Sequence, residues 1–94
     1  MGAVVVVHIR ILDAEKFKAY SAGAPETVAA HRGTFLLRAR EAEVIHGEHA
    51  YTNCVVIEFP DRAAARAWYD SPAYQALVPN RDAAAKMSFV VYET

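Results

Sequence analysis

The sequence predicts an α+β protein: four strands in one antiparallel sheet, with the helices packed on a single face. Three observations carry this. Apolar, β-branched runs recur four times along the 94 residues. Asp13 and Asp61 each follow such a run and open an alanine-containing segment with helical spacing. The resulting order, β-α-β-β-α-β, is the ferredoxin-like split pattern. One domain, residues 1–94, is expected from a chain of this length.

Taken in order, Ala3 to Ile11 is rich in valine and isoleucine and reads as strand one. Asp13 caps a first helix that places Phe17, Tyr20, Ala24 and Val28 on one stripe. Pro25 predicts a kink or a fresh first turn, and Gly33 a glycine-terminated end. "TFLLRAR" is strand two, "EAEVIHGEHAYT" holds a hairpin turn near Gly47, and "NCVVIEF" is strand three. Asp61 caps a second helix, Arg62 to Asp70. Ser71-Pro72 stops it and opens a short third helix, "AYQALVPNRDAAA", broken again at Pro79, and "MSFVVYE" is strand four. Right-handed crossovers put all the helices on one face of the sheet.

Period-two alternation sorts the side chains between the two faces. Strands one and three are expected to be neighbours and parallel, each ending just before its capping aspartate, with Arg10 level with Glu58. One face then carries Val5, Val7, Ile9 and Ile11 beside Val55, Ile57 and Phe59, and belongs to the helices. The other mixes Val4, Val6 and Val56 with Cys54, His8, Arg10 and Glu58. Water is a poor neighbour for those valines, and a sealed core is a poor one for unpartnered ionisable groups. A second sheet with a polar cleft at one end suits both, and a second copy of the chain supplies it by two-fold symmetry. The expected partner is therefore the protein itself, in a homodimer through the sheet faces.

The composition narrows the function. With 54% hydrophobic and 22% charged residues it matches a soluble globular protein. A net charge of −1 without a basic run argues against nucleic acid and anionic membrane as partners. The N-terminal "MGAVVVVHIRIL" lacks the positive region of a signal peptide, and no run approaches a membrane span. The single cysteine, Cys54, excludes an internal disulfide and fits a cytoplasmic location. P-loop, GxGxxG, CxxC, nucleophile-elbow and zinc signatures are all missing, so no metal or cofactor is expected.

Each candidate for chemistry has two readings. His8, among valines, is either a general base tuned by burial and Glu58 or a buried imidazole bonded to a carbonyl. Arg10 and Glu58 read as a structural cross-strand ion pair. Arg38 either forks onto a ligand carboxylate or is an edge charge that deters sheet aggregation; Arg40 reads as the edge charge. His31, at the end of the first helix, is favoured there by the helix dipole and also lies where pockets open. "HGEH", His46 to His49, offers at most two metal ligands and reads as a polar turn. Cys54 reads as a structural thiol. On the second helix Trp68 packs the sheet and Tyr69 sits at the edge of that core. On the third, Tyr74, Val78, Arg81 and Ala85 share a stripe, on which Arg81 requires an acceptor. Tyr69 and Tyr74 are expected to close the cleft.

The run "VVIEFPDRAAARAWYDSPAYQALVPNRDAAA" resembles the C-terminal half of domain-of-unknown-function family 1330, and "APETVAAHRGTFLLRAREAEVIHG" resembles its middle. The resemblance covers nearly the whole chain, and its most specific part is the strand-Pro-helix-"WY"-x-"SP"-x-"YQ" run from Ile57 to Gln75. It implies the dimeric α+β barrel fold. The family commonly has Gly-Gly where this chain has Arg32-Gly33, and glycine where it has Ala39. The wider barrel superfamily includes cofactor-independent monooxygenases, isomerases and dehydratases. The polar cleft resembles theirs, and the first expectation is a small cofactor-independent enzyme or binding protein for an apolar organic acid, with Arg38 or Arg81 holding the acid, His8 or His31 moving a proton, and Tyr69 and Tyr74 lining the wall. The alternatives are a non-catalytic dimerisation or regulatory module, and a haem-handling barrel with His31 as iron ligand.

Overall fold

Asp13 and Asp61 start their helices as the sequence predicts. Each sits in extended backbone and its carboxylate accepts an amide in the first turn, from Lys16 at 3.0 Å and from Ala64 at 2.7 Å. In the computed structural model, which describes residues 2–94, the order is β1 (Ala3–Ile11), α1 (Ala14–Ala29), β2 (Thr34–Arg40) and β3 (Asn53–Phe59). Then follow α2 (Arg62–Asp70), α3 (Pro72–Gln75), α4 (Val78–Ala84) and β4 (Ala85–Glu93). The sheet order is β2-β3-β1-β4, and every neighbouring pair is antiparallel.

That arrangement corrects one expectation. Strands β1 and β3 are neighbours but run in opposite directions. The crossover through α1 returns β2 parallel to β1, and the connection to β3 reverses the chain once more. The two capping aspartates therefore stand at opposite ends of the sheet. Glu58 pairs with Val4 and Cys54 with His8, so Arg10 and Glu58 are six residues apart along the strand direction, roughly 20 Å. The expected Arg10–Glu58 ion pair does not form. The division into faces survives, because the pairing keeps odd residues beside odd ones: Val5 lies beside Ile57 and Val7 beside Val55.

Helix α1 holds its course through Pro25 instead of restarting there. Proline has no amide for the carbonyl four residues back, so Ser21 loses its helical partner. At the C-terminus Gly33 N–H bonds the Val28 carbonyl and Arg32 N–H bonds that of Ala29, both at 3.0 Å, which is the Schellman arrangement. The left-handed residue is Arg32 (φ 62°), one position before the glycine that was expected to end the helix. Gly33 is needed for another reason: a Cβ there would come within 2.5 Å of Val28 and 2.7 Å of Phe59.

The core lies between the helices and the odd-numbered face of β1 and β3. Trp68, Tyr74, Phe59, Val5 and Val28 are its largest fully buried side chains. Trp68 Nε1 donates to Thr27 Oγ1 at 3.0 Å, and that hydroxyl donates to the Ala24 carbonyl at 2.7 Å, so the buried indole leaves no polar atom unpaired. No helix among the described residues is long and apolar enough to cross a membrane.

Candidate functional site

Strand β2 departs from strict alternation, and the departure shapes the site. Phe35 pairs with Ile57, but Leu37 pairs with Val56, leaving Leu36 as an extra residue in a bulge. From there the parity of the strand is inverted. Arg38 opposite Val55 and Arg40 opposite Asn53 share the helix-side face with Phe35, while Leu37 and Ala39 turn to the other. The Arg38 guanidinium lies 4.1 Å above the Phe35 ring, a stacking that orients its fork.

These residues wall a half-open cavity of about 530 Å³ between α1 and the sheet. Phe17, Tyr20, Ser21, Ala24, Pro25 and Val28 line it from α1; Val7, Ile9, Val55, Ile57, Met87 and Phe89 line it from the sheet; Trp68 contributes from α2. The volume suits a small organic molecule. The lining is mostly apolar, it includes Arg38 and Arg40, and it contains no carboxylate. Neither arginine is in an ion pair among the described residues.

A hydrogen-bonded cluster stands behind this wall. Arg81 Nη1 donates to Tyr69 Oη at 2.9 Å and to Tyr74 Oη at 3.3 Å, and the Tyr74 and Tyr20 hydroxyls are 2.7 Å apart. The Tyr20 and Tyr74 rings meet edge to face. Burial, above all, pushes both the Tyr20 and Tyr74 hydroxyls upward from the ordinary tyrosine range. For Arg81 burial works downward, but the bonds to Tyr74 and Tyr69 outweigh it and its pKa is raised. Tyr20 and Tyr74 therefore stay protonated and the Arg81 guanidinium stays charged at any physiological pH.

The expected site residues thus fall into separate places. Arg38 reaches the cavity. Tyr69, Tyr74 and Arg81 come together, but behind the wall: Tyr74 is 0% exposed and none of the three lines the cavity. Arg81 finds its acceptors in tyrosine hydroxyls and in Asp82, at 3.2 Å. His8 is on the opposite face of the sheet, packed against His49 (ring centroids 5.1 Å apart) and Tyr51 (5.7 Å) at the edge of a second hollow. His31 Nδ1 donates to the Thr27 carbonyl, one turn back in its own helix, and does not line the cavity. Cys54 is half-buried, opposite His8. Two contributors escape a reading of the sequence. Tyr20 carries the only hydroxyl in the aromatic stripe of α1, which is the signal that marks it. Arg40, read from the sequence as an edge charge, is turned to the helix side by the bulge and lines the cavity.

The same architecture recurs in solved structures. A protein of unknown function from Rhodopseudomonas palustris superposes with a TM-score of 0.85 at 16% identity, over 99% of this chain and 82% of that one. A dimeric ferredoxin-like protein of unknown function from Jannaschia sp. gives 0.80 at 14% identity over 100% of both chains. SnoaB, a cofactor-independent oxygenase from Streptomyces nogalater, gives 0.70 at 15% identity over 99% of this chain and 92% of its own. At these identities the likeness is one of fold. No curated protein sequence matches the chain. The model of one family matches residues 2–94, essentially the whole chain, and the protein belongs to that family, Domain of unknown function (DUF1330).

Proposed function

We propose that the protein is a homodimer whose subunits each bind a small, largely apolar organic acid in the cavity beneath α1. One observation carries the ligand class: two arginines without ionic partners stand on an apolar wall that has no carboxylate. An organic anion answers both features, its acid taken by Arg38 and its body by the aromatic lining. A charge-assisted bond of this kind is worth about 1.5–3 kcal/mol. Arg38→Ala is therefore expected to weaken binding of a probe such as 2-naphthoate by at least about tenfold, read by calorimetry. Arg40→Ala should weaken it less, because Arg40 stands at the end of β2 and stacks on no ring among the described residues. No binding of 2-naphthoate or a medium-chain fatty acid at millimolar concentration, or equal losses in Arg38→Ala and a remote Arg62→Ala, would leave a non-catalytic dimerisation module as the better account.

The dimer rests on the open sheet face. Val4, Val6 and Val56 form its centre, flanked by Leu37 (47% exposed), Val90 (39%) and Tyr92 (54%). Such a patch asks for an apolar cover, and neighbours of this fold include dimers. Val6→Asp places an unpaired carboxylate at its centre and is expected to give monomers in sedimentation at micromolar concentration. A wild-type protein that is itself monomeric there would end the dimer proposal.

A further inference from the structure

A hydroxyl has one proton and a guanidinium has only donors, so the order of bonds from Arg81 to Tyr20 is constrained. Arg81 Nη1 must donate to Tyr74 Oη. Tyr74 is wholly buried, and among the described residues its hydroxyl meets only Arg81 and Tyr20. Its own proton therefore has one acceptor, Tyr20 Oη, 2.7 Å away. The order that gives the wholly buried Tyr74 hydroxyl both a donor and an acceptor is Arg81 to Tyr74 to Tyr20. It leaves the Tyr20 proton without an acceptor among the described residues, and of these three side chains Tyr20 is the one that lines the cavity. A cation at the head of the chain polarises both hydroxyls in the same sense, which strengthens the last donor.

We infer that Tyr20 is the hydrogen-bond donor of the cavity, set by Arg81 through Tyr74 to receive a carbonyl or enolate oxygen, so that the preferred ligand is an aromatic keto acid. The acid half of this rests on the function proposed above; the donor half stands on the tyrosine chain alone. The aromatic preference follows from Phe17, Phe35, Trp68 and Phe89 around the space.

Two probes differing only in C=O against CH₂ test it: 6-acetyl-2-naphthoate and 6-ethyl-2-naphthoate. Wild type is expected to bind the ketone about tenfold more tightly, and Tyr20→Phe to bring the ratio near one with little change for the ethyl compound. The carbonyl stretch of the bound ketone should move to lower frequency in wild type, move less in Arg81→Met, and not move in Tyr20→Phe. The wild-type ratio and stretch need no variant, so poor folding of Arg81→Met leaves the test intact. Neutral 2-acetylnaphthalene separates the two halves. If it binds with a Tyr20-dependent stretch while the acids gain nothing from Arg38, the donor stands and the acid reading falls. If the acids bind through Arg38 but ketone and ethyl probes bind equally, or Tyr20→Phe leaves their ratio unchanged, the donor inference is overturned and the acid reading stands. Failure of all three probes to bind at millimolar concentration overturns both.

Discussion

Trp68→Ala is expected to lower Tm by about 15–30 °C at matched protein concentration. Removing a fully buried aromatic typically costs about 3–5 kcal/mol, a large share of the roughly 5–14 kcal/mol available to a chain of this size. Trp68 is 2% exposed and its ring packs against Phe59, Tyr74, Tyr69 and Phe89. It also forms part of the cavity wall, so the binding of 2-naphthoate proposed above should be lost with the fold. Trp68→Phe keeps most of the apolar volume and forfeits only the bond to Thr27, about 1 kcal/mol together with some packing. Calorimetric scans should separate the two variants clearly. If both lose the same few degrees, the indole is not the keystone that its burial implies.

Gly33→Ala should cost about 2–3 kcal/mol in urea denaturation, a large penalty for one methyl group. The added Cβ would meet Val28 at 2.5 Å and Phe59 at 2.7 Å, and both of those residues are 1% exposed, without room to retreat. The preceding residue predicts the opposite sign. Arg32 occupies the left-handed region (φ 62°), where an L side chain is strained by about 1–2 kcal/mol. Arg32→Gly should therefore stabilise the protein by up to about 1 kcal/mol, the rest being offset by the flexibility of glycine in the unfolded chain. A neutral Gly33→Ala together with a destabilising Arg32→Gly would contradict the geometry of this turn.

Most of the fold is legible in the sequence because its signals are local. The valine-rich strands, the caps at Asp13 and Asp61, and the Ser71-Pro72 break depend on neighbours a few positions away. The division of β1 and β3 into faces also follows from local alternation, so it survived a mistaken strand direction. What failed needed distant information. Whether Arg10 meets Glu58 depends on which way β3 runs, and so on the whole path of the chain between them. The site was less legible for the same reason. Tyr20 and Tyr74 are far apart in sequence and meet only through α1 and α3. Arg81 looked available to a ligand because its acceptors, Tyr69 and Tyr74, could themselves be assigned to the pocket. The bulge at Leu36 carries no glycine to announce it, and it alone separates Arg38 from the face where His8 stands.

That bulge changes how relatives of this chain can be compared. Leu36 is a spacer: without it Phe35 and Leu37 would be consecutive, and Arg38 would still face Val55. A relative one residue shorter here can therefore present the same cavity. Matched without a gap, its downstream β2 residues would be read against the wrong side of the sheet, and a position that lines the cavity would be confused with one on the open face of the sheet. The invariant to follow across such proteins is the cross-strand partner on β3, not the position number along β2.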